Sequence, residues 1–375
     1  MFWLIVSQIC TSVNIRIFID FDQKAPFSAK LISFVQKLPL LICDTMLLQF
    51  RTKQEQTMSA CAPWTRLPLL VIGLLGLTLT APADARQPLL TPGSATAIAT
   101  GVYVVPDNDI PLVPNVGIVV GEHSVLVVDT GMGPTNAEIV LAEVRRVTDK
   151  PIAWLVCTHF HPEHNFGAQS FPADTKVIYA TAQHRDLTEK GEHYRSWFVD
   201  MFADDVAGLL APVVLRSPDL TFERRAVVDL GGRPVELLHF GRAAHTRGDT
   251  LVFVPDAGIL FAGGLTPNGK FPIMPDADSD GRGWIATLGE LRRLDIKRIV
   301  PGHGAVADPA LIDVVDTYLR ALRDRVASLR DAGTPLDTIK STLTTEFVAR
   351  YPAWTEPFWI GEATTNFHRA LERGE

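Results

Sequence analysis

Ile152-Ala153-Trp154-Leu155-Val156-Cys157-Thr158 runs directly into His159-Phe160-His161-Pro162-Glu163-His164. Ile152 to Cys157 is short, apolar, preceded by Pro151 and rich in strand formers, so it reads as a buried strand. The histidines then fall at the strand's carboxyl end, where open α/β sheets place their ligands. In extended backbone, residues two apart point the same way, so His159 and His161 converge on one point. Two imidazoles, with the acid Glu163 and a third imidazole, His164, just beyond, make a zinc-type ligand set. A lone histidine there would read as a solvated loop. Three beside an acid do not.

On either side of this stretch, strands and helices alternate. Ala95 to Val105 and Val116 to Asp129 read as strands, the second containing a turn at Gly121-Glu122-His123-Ser124. Its last part, Val125 to Val128, ends in Asp129, Thr130 and Gly131. Pro134 to Thr148 reads as a helix, with Val140, Val144 and Val147 on one face. Lys176 to Ala180 is a further strand, and 184–210 reads as helical and irregular. Leu220 to Leu230, Pro234 to Phe240, Thr250 to Pro255 and Gly258 to Ala262 are short β segments parted by Gly or Asp turns. Trp284 to Leu294 reads as helix, Ile299 onward as a strand entering a turn, and Pro309 to Leu371 as largely helical.

Two later histidines extend the first constellation. His245 lies in Ala244-His245-Thr246-Arg247-Gly248-Asp249, before a strand, and His303 in Pro301-Gly302-His303-Gly304, after one. Both occupy glycine-containing turns at strand ends, where backbone can approach a metal closely.

The rest of the chain bounds the function. With 375 residues, 47% of them hydrophobic, it is long enough for a large core or two modest domains. A net charge of −7 and no basic cluster interleaved with aromatics exclude nucleic acid as an expected partner. Residues 58–85 have the layout of a secretory signal: Met58, Arg66, the apolar run Leu67 to Leu79, then Ala83-Asp84-Ala85. The run falls short of the roughly 20 apolar residues of a spanning helix, so no stable membrane anchor is expected after cleavage. Residues 1–57 then read as an upstream segment outside the true start. The expected destination is the periplasm or the exterior. Cys157, the one cysteine after the proposed cleavage, reads as a core residue.

These marks together resemble the metallo-β-lactamase superfamily of zinc hydrolases over roughly residues 95–305. The carriers are Asp129 ending an early strand, an H-x-H-x-D-H-type run at His159, His161, Glu163 and His164, then His245 and His303. The resemblance implies a four-layer αβ/βα sandwich at 86–305, an α/β fold, with 306–375 as a helical extension packed on it. It implies one zinc on His159, His161 and His245, and a second on Glu163, His164 and His303. The long exported chain also resembles a periplasmic branch linked with sulfur-oxidation and quinoprotein systems.

The chain departs from the family pattern twice. Glu163 replaces the usual Asp, and Gly264, in Leu260-Phe261-Ala262-Gly263-Gly264-Leu265, stands where many members carry a metal-bridging Asp. A weaker second zinc follows, so one or two ions per chain are expected. An aspartate placed at 264 is expected to tighten that second site if the longer Glu163 leaves room. Zinc lowers the pKa of bound water to about 7 and so supplies hydroxide at neutral pH. Glu163 and Asp129 are the candidate catalytic side chains. Glu163 acts as ligand or base, and Asp129 as support for a ligand imidazole or as a turn cap. The expected function is hydrolysis of a small-molecule ester, lactone, amide (β-lactams included) or thioester. A glyoxalase-II-like thioesterase is one alternative, and a non-catalytic metal-binding accessory protein of a periplasmic redox or sulfur system is another.

Overall fold

The computed structural model describes residues 87–275 and 279–374. The signal-peptide and start-site expectations fall on residues 1–86 and lie outside the described residues. Asymmetric alternation of side chains makes the architecture. In β4 (Val125–Val128), Val125 and Val127 enter one apolar cluster while Leu126 and Val128 enter another. In β10 (Leu251–Val254), Leu251 and Phe253 face one cluster and Val252 and Val254 a different one. Strands buried on both faces need a covering layer on each side.

Seven strands form the first sheet: β1 (Thr96–Ala99), β2 (Val102–Val105), β3 (Val116–Val120), β4, β5 (Ile152–Val156), β6 (Lys176–Ala180) and β7 (Leu220–Phe222), in that spatial order. Pairing is antiparallel from β1 to β4 and parallel from β4 to β7. The second sheet has the order β12 (Arg298–Pro301), β11 (Ile259–Gly263), β10, β9 (Pro234–Leu238), β8 (Arg225–Asp229). Only the β11–β12 pair within it is parallel.

Between the sheets lies a core that includes Leu126, Val156, Leu237, Val252 and Phe261. Helices cover the outer faces. On the first sheet these are α1 (Gly133–Val147), α3 (Thr181–Phe202) and α4 (Asp204–Leu210), through residues such as Val140, Val144, Leu187 and Leu209. On the second they are α5 (Gly281–Leu291), α6 (Ala310–Asp331), α7 (Leu336–Arg350) and α8 (Phe358–Glu372), through Trp284, Leu319, Leu343 and Phe367. The fold is the expected four-layer αβ/βα sandwich. The three helices after residue 305 share the second sheet's outer core with Leu260 and Ile299. Each fully buried Val, Leu or Phe contributes about 1.5–3 kcal/mol of transfer free energy before entropy is counted.

Two elements differ from the sequence reading, and a third takes a definite form within it. Ala95 to Val105 is a tight hairpin rather than one strand, turned at Gly101 with φ +69. Leu220 to Leu230 divides into β7 and β8, which belong to different sheets, so the chain crosses between layers at Glu223-Arg224. The irregular helical stretch 184–210 is two helices broken at Ala203, whose φ of +49 ends α3 and opens α4. No helix among the described residues is long and apolar enough to cross a membrane.

Candidate metal centre

The six proposed ligands converge on one seam, where carboxyl ends of strands from both sheets meet. His159 follows β5, and Glu163 and His164 lie on the four-residue helix α2 (Pro162–Asn165) that Pro162 opens. His245 comes from the β9–β10 connection, and His303 follows β12. Backbone bonds stitch the seam: Thr250 N–H donates to Thr158 O at 2.7 Å, and Asn115 N–H to Gly302 O at 2.8 Å.

Donor atoms of His159, His161 and His245 cluster within 4.8 Å of one another, and so do those of Glu163, His164 and His303. The pairing of histidine nitrogens says which form each ring takes. His245 Nδ1 lies 2.8 Å from Ile273 O and His303 Nδ1 2.9 Å from Val113 O, so both Nδ1 atoms carry the proton. His164 Nδ1 donates to Asp129 Oδ2 at 2.8 Å. The Thr158 hydroxyl gives its own proton to Asp129 Oδ2 at 3.0 Å, so it accepts from His159 Nδ1 at 3.1 Å. All four Nε2 atoms are therefore left as bare lone pairs. They face other nitrogens: His159 and His245 Nε2 are 3.2 Å apart, His164 and His303 Nε2 3.3 Å, and His161 Nδ1 is 3.1 Å from His159 Nε2. Lone pairs aimed at one another repel unless a cation stands among them. That is the test the donor set passes for a metal.

Electrostatics agree. Burial, together with the neighbouring imidazoles, holds His159 and His161 well below the usual histidine range, and burial brings His245 to about 4. These rings are neutral, the ligating form, at physiological pH. Burial alone would raise Glu163, but the imidazoles of His303, His164 and His161 outweigh it and bring the carboxyl to about 2. His164 is raised, because Asp129's charge and hydrogen bond overcome the opposing effect of burial. Glu163 Oε2 and His161 Nε2 are buried with no hydrogen-bond partner among the described residues. An orphaned carboxylate oxygen in the second cluster is what an ion there would satisfy.

The support is as specific as the ligands. Asp129, 1% exposed at φ +67, accepts from Thr158 N–H at 2.6 Å, from the Thr158 hydroxyl and from His164. It orients one imidazole of the second set directly and one of the first set through Thr158. It lies in neither ligand cluster, so its action is positioning. The His303 loop is held by Asn115, whose Nδ2 donates to Pro301 O at 2.9 Å and Gly304 O at 2.7 Å. Asp107 Oδ2 accepts from Gly304 N–H at 2.6 Å. Asp249 closes the His245 turn, accepting from Thr246 N–H and Oγ1.

Gly264 packs against the His245 ring, where a Cβ would overlap its Cδ2, Nε2 and Cγ. The expectation that an aspartate at 264 tightens the second site is therefore corrected. The glycine is what lets β11 approach the first ligand set, and a side chain there would displace His245. His123, His184, His239 and His368 stay outside both clusters, with His239 Nδ1 instead 3.0 Å from Asp249 O. Cys157 is buried in the first sheet's core. Thr158, Asn115, Asp107 and the carbonyls of Ile273 and Val113 were not singled out from sequence. The backbone acceptors have no side-chain signal at all.

The family model of the metallo-β-lactamase superfamily matches residues 109–303. The chain belongs to the metallo-β-lactamase superfamily. Among its relatives is the linear primary-alkylsulfatase of Pseudomonas sp. (strain ATCC 19151), 27% identical over a 241-position alignment that covers 56% of this chain and 44% of that protein. The chain thus spans under half the length of that superfamily relative. Among solved structures, a double mutant of the sec-alkyl sulfatase PisA1 superposes with a TM-score of 0.57 at 14% identity, covering 75% of this chain and 50% of that one. The metallo-β-lactamase FIM-1 from Pseudomonas aeruginosa, in its mono-zinc form, gives a TM-score of 0.49 at 21% identity over 63% of this chain and 98% of that one. The superfamily and the alkylsulfatase relative point to a hydrolase.

Proposed function

We propose that the protein is a zinc-dependent hydrolase of a small ester, lactone, amide or thioester, working outside the cytoplasm. The observation that carries this is the pair of donor clusters with their nitrogen lone pairs turned inward. His159, His161 and His245 would hold the first ion, three protein ligands being the usual open catalytic arrangement. Glu163, His164 and His303 would hold a second. Bound zinc supplies Lewis acidity and hydroxide at neutral pH. The chain's own part is to fix the imidazole tautomers through Asp129, Thr158, Ile273 O and Val113 O, and to keep the rings of the first set neutral by burial. A carboxyl at about 2 accepts protons poorly at pH 7, which favours Glu163 as a ligand rather than a general base. The exported location rests on the signal layout at 58–85.

Sulfate esters are a second substrate reading, favoured by the alkylsulfatase relative. One experiment tests both: zinc content per chain, with turnover measured on carboxylic ester, lactone, β-lactam, thioester and alkyl sulfate panels. Zinc bound with turnover on a panel supports the proposal. Zinc bound with every panel silent would favour a metal-binding accessory protein.

A further inference from the structure

A groove of about 290 Å³, just under the usual range for small-molecule sites, opens on the far side of Tyr194 from the first ligand set. Its walls come from α3 (Tyr194, Trp197, Met201), from Pro275 and from the start of α8 (Phe358, Trp359). Two contacts join it to the ligands. The Tyr194 ring stacks on His161, 4.9 Å between centroids and 16° between planes. Pro275 follows two residues after Ile273, whose carbonyl holds His245 Nδ1 at 2.8 Å. Tyr194 thus carries the groove to one imidazole of the first set, and Pro275 lies two residues from the carbonyl that holds another. Trp197 in turn meets Tyr194 edge-on at 5.4 Å, carrying the aromatic surface outward.

Large apolar side chains stand open on this path: Phe358 is 60% and Met201 47% exposed. Water-facing apolar groups lining a concave surface mark a binding face. The polar lining residues do not ask for a charged ligand. Glu362 is already paired with Lys340 at 3.3 Å, and His193 is a single exposed imidazole beside Tyr194. Four of the lining side chains are aromatic, which favours a flat ring by offset or edge contact.

We infer that this groove seats the uncharged, aryl-bearing arm of the substrate whose reacting bond lies at the His159–His161–His245 cluster. The C-terminal helix α8 therefore sets specificity, and α3 serves both the ligand ring and the substrate arm. The inference rests on the proposed hydrolase reading for the word substrate, and on the groove alone for the aryl group.

The full-length, zinc-loaded protein is assayed on methyl butanoate and methyl 4-phenylbutanoate, which differ only in the ring. The phenyl ester is expected to have a kcat/KM about ten-fold higher, the difference lying in KM, because burying a ring is worth that much. Phe358→Glu, which places a charge in the groove at an exposed position, and Met201→Trp, which fills it, should bring that ratio toward unity. Val227→Ala, at an exposed site on β8, should leave the ratio as it is. Binding of 1-naphthol to the metal-free chain is measured separately by equilibrium dialysis. Weaker naphthol binding in Phe358→Glu than in the unmodified chain supports the groove. If the two bind naphthol alike, or if the ester ratio is the same in every variant, the inference is overturned. Naphthol binding that does respond to Phe358→Glu, with neither ester turned over, keeps the groove and counts against the hydrolase reading instead.

Discussion

The two ligand clusters lie on the same seam yet are built by different physics. His159, His161 and His245 are all buried and bear no formal charge; Asp129 reaches His159 only through Thr158, and the charge of Glu163 acts on His161 and His245 from the neighbouring cluster. Glu163, His164 and His303 include one carboxylate, and His164 is tied to a second, Asp129; the His303 side chain is 14% exposed. The first cluster is held by shape and desolvation, the second by charge. Sites of the first kind should fail when packing is disturbed, and sites of the second kind when carboxylates are removed.

The largest expected effect is on the first cluster. His159→Ala or His245→Ala should reduce turnover to background, since two ligands rarely hold a catalytic zinc, while His239→Ala should change it little. Equal activity of the three at matched zinc content would remove the assignment of the first cluster. Gly264→Asp comes next. Overpacking typically costs about 1–3 kcal/mol, here directed at His245, so first-site zinc measured by metal analysis should fall rather than second-site zinc rise.

Asp129→Asn should weaken metal binding by about 10–100-fold, the usual cost of losing a carboxylate that orients a ligand imidazole. The second ion should suffer more, because His164 touches Asp129 directly. Zinc per chain followed through a chelator titration measures this. In the same titration the unmodified protein should lose its second zinc first, since no bridging carboxylate offsets the repulsion between two dications. Glu163→Asp should shift that midpoint without abolishing activity. Simultaneous loss of two tightly held ions would show the clusters to be equivalent.

The smallest effect concerns the turn that carries His245. Burial raises the Asp249 carboxyl from 3.8 to about 7, the hydrogen bonds from Thr246 notwithstanding. A carboxyl raised in the folded state favours folding fully below about 4, and that contribution is lost as pH rises through about 7. Asp249→Asn has no such dependence. The melting temperature of the unmodified protein relative to that variant should therefore decline from pH 4 to pH 8, as thermal melts would record.

Much of this was legible because histidine chemistry leaves a local signature. Residues 152–164 contain a strand, its end and four donors in one reading, and β10 and β11 announce themselves by apolar runs. What stayed illegible depends on distance in space. Nothing in Leu220 to Leu230 says that the chain changes sheets within it, because both halves have strand composition. Gly264 reads from sequence as a missing ligand, and only the His245 ring beside it reveals it as required space. Asp107 and Asn115 look like ordinary turn residues until the His303 loop, almost two hundred residues later, is laid against them.

The crossing at Glu223-Arg224 also bears on the order of events as the chain folds. The amino-terminal half can gather His159, His161, Glu163 and His164 by itself, but neither donor triad is complete without the other sheet. His245 and His303 arrive only after β9 and β12, and loop closure over such separations is slow compared with local pairing. A captured ion is therefore a certificate of assembly: a chain with one sheet formed offers three imidazoles and an acid to the solvent, and a chain with both offers closed sites. The metal, once bound, would then lock the two sheets together at their seam, so that mechanical or thermal opening of the sandwich and loss of the ions become a single event.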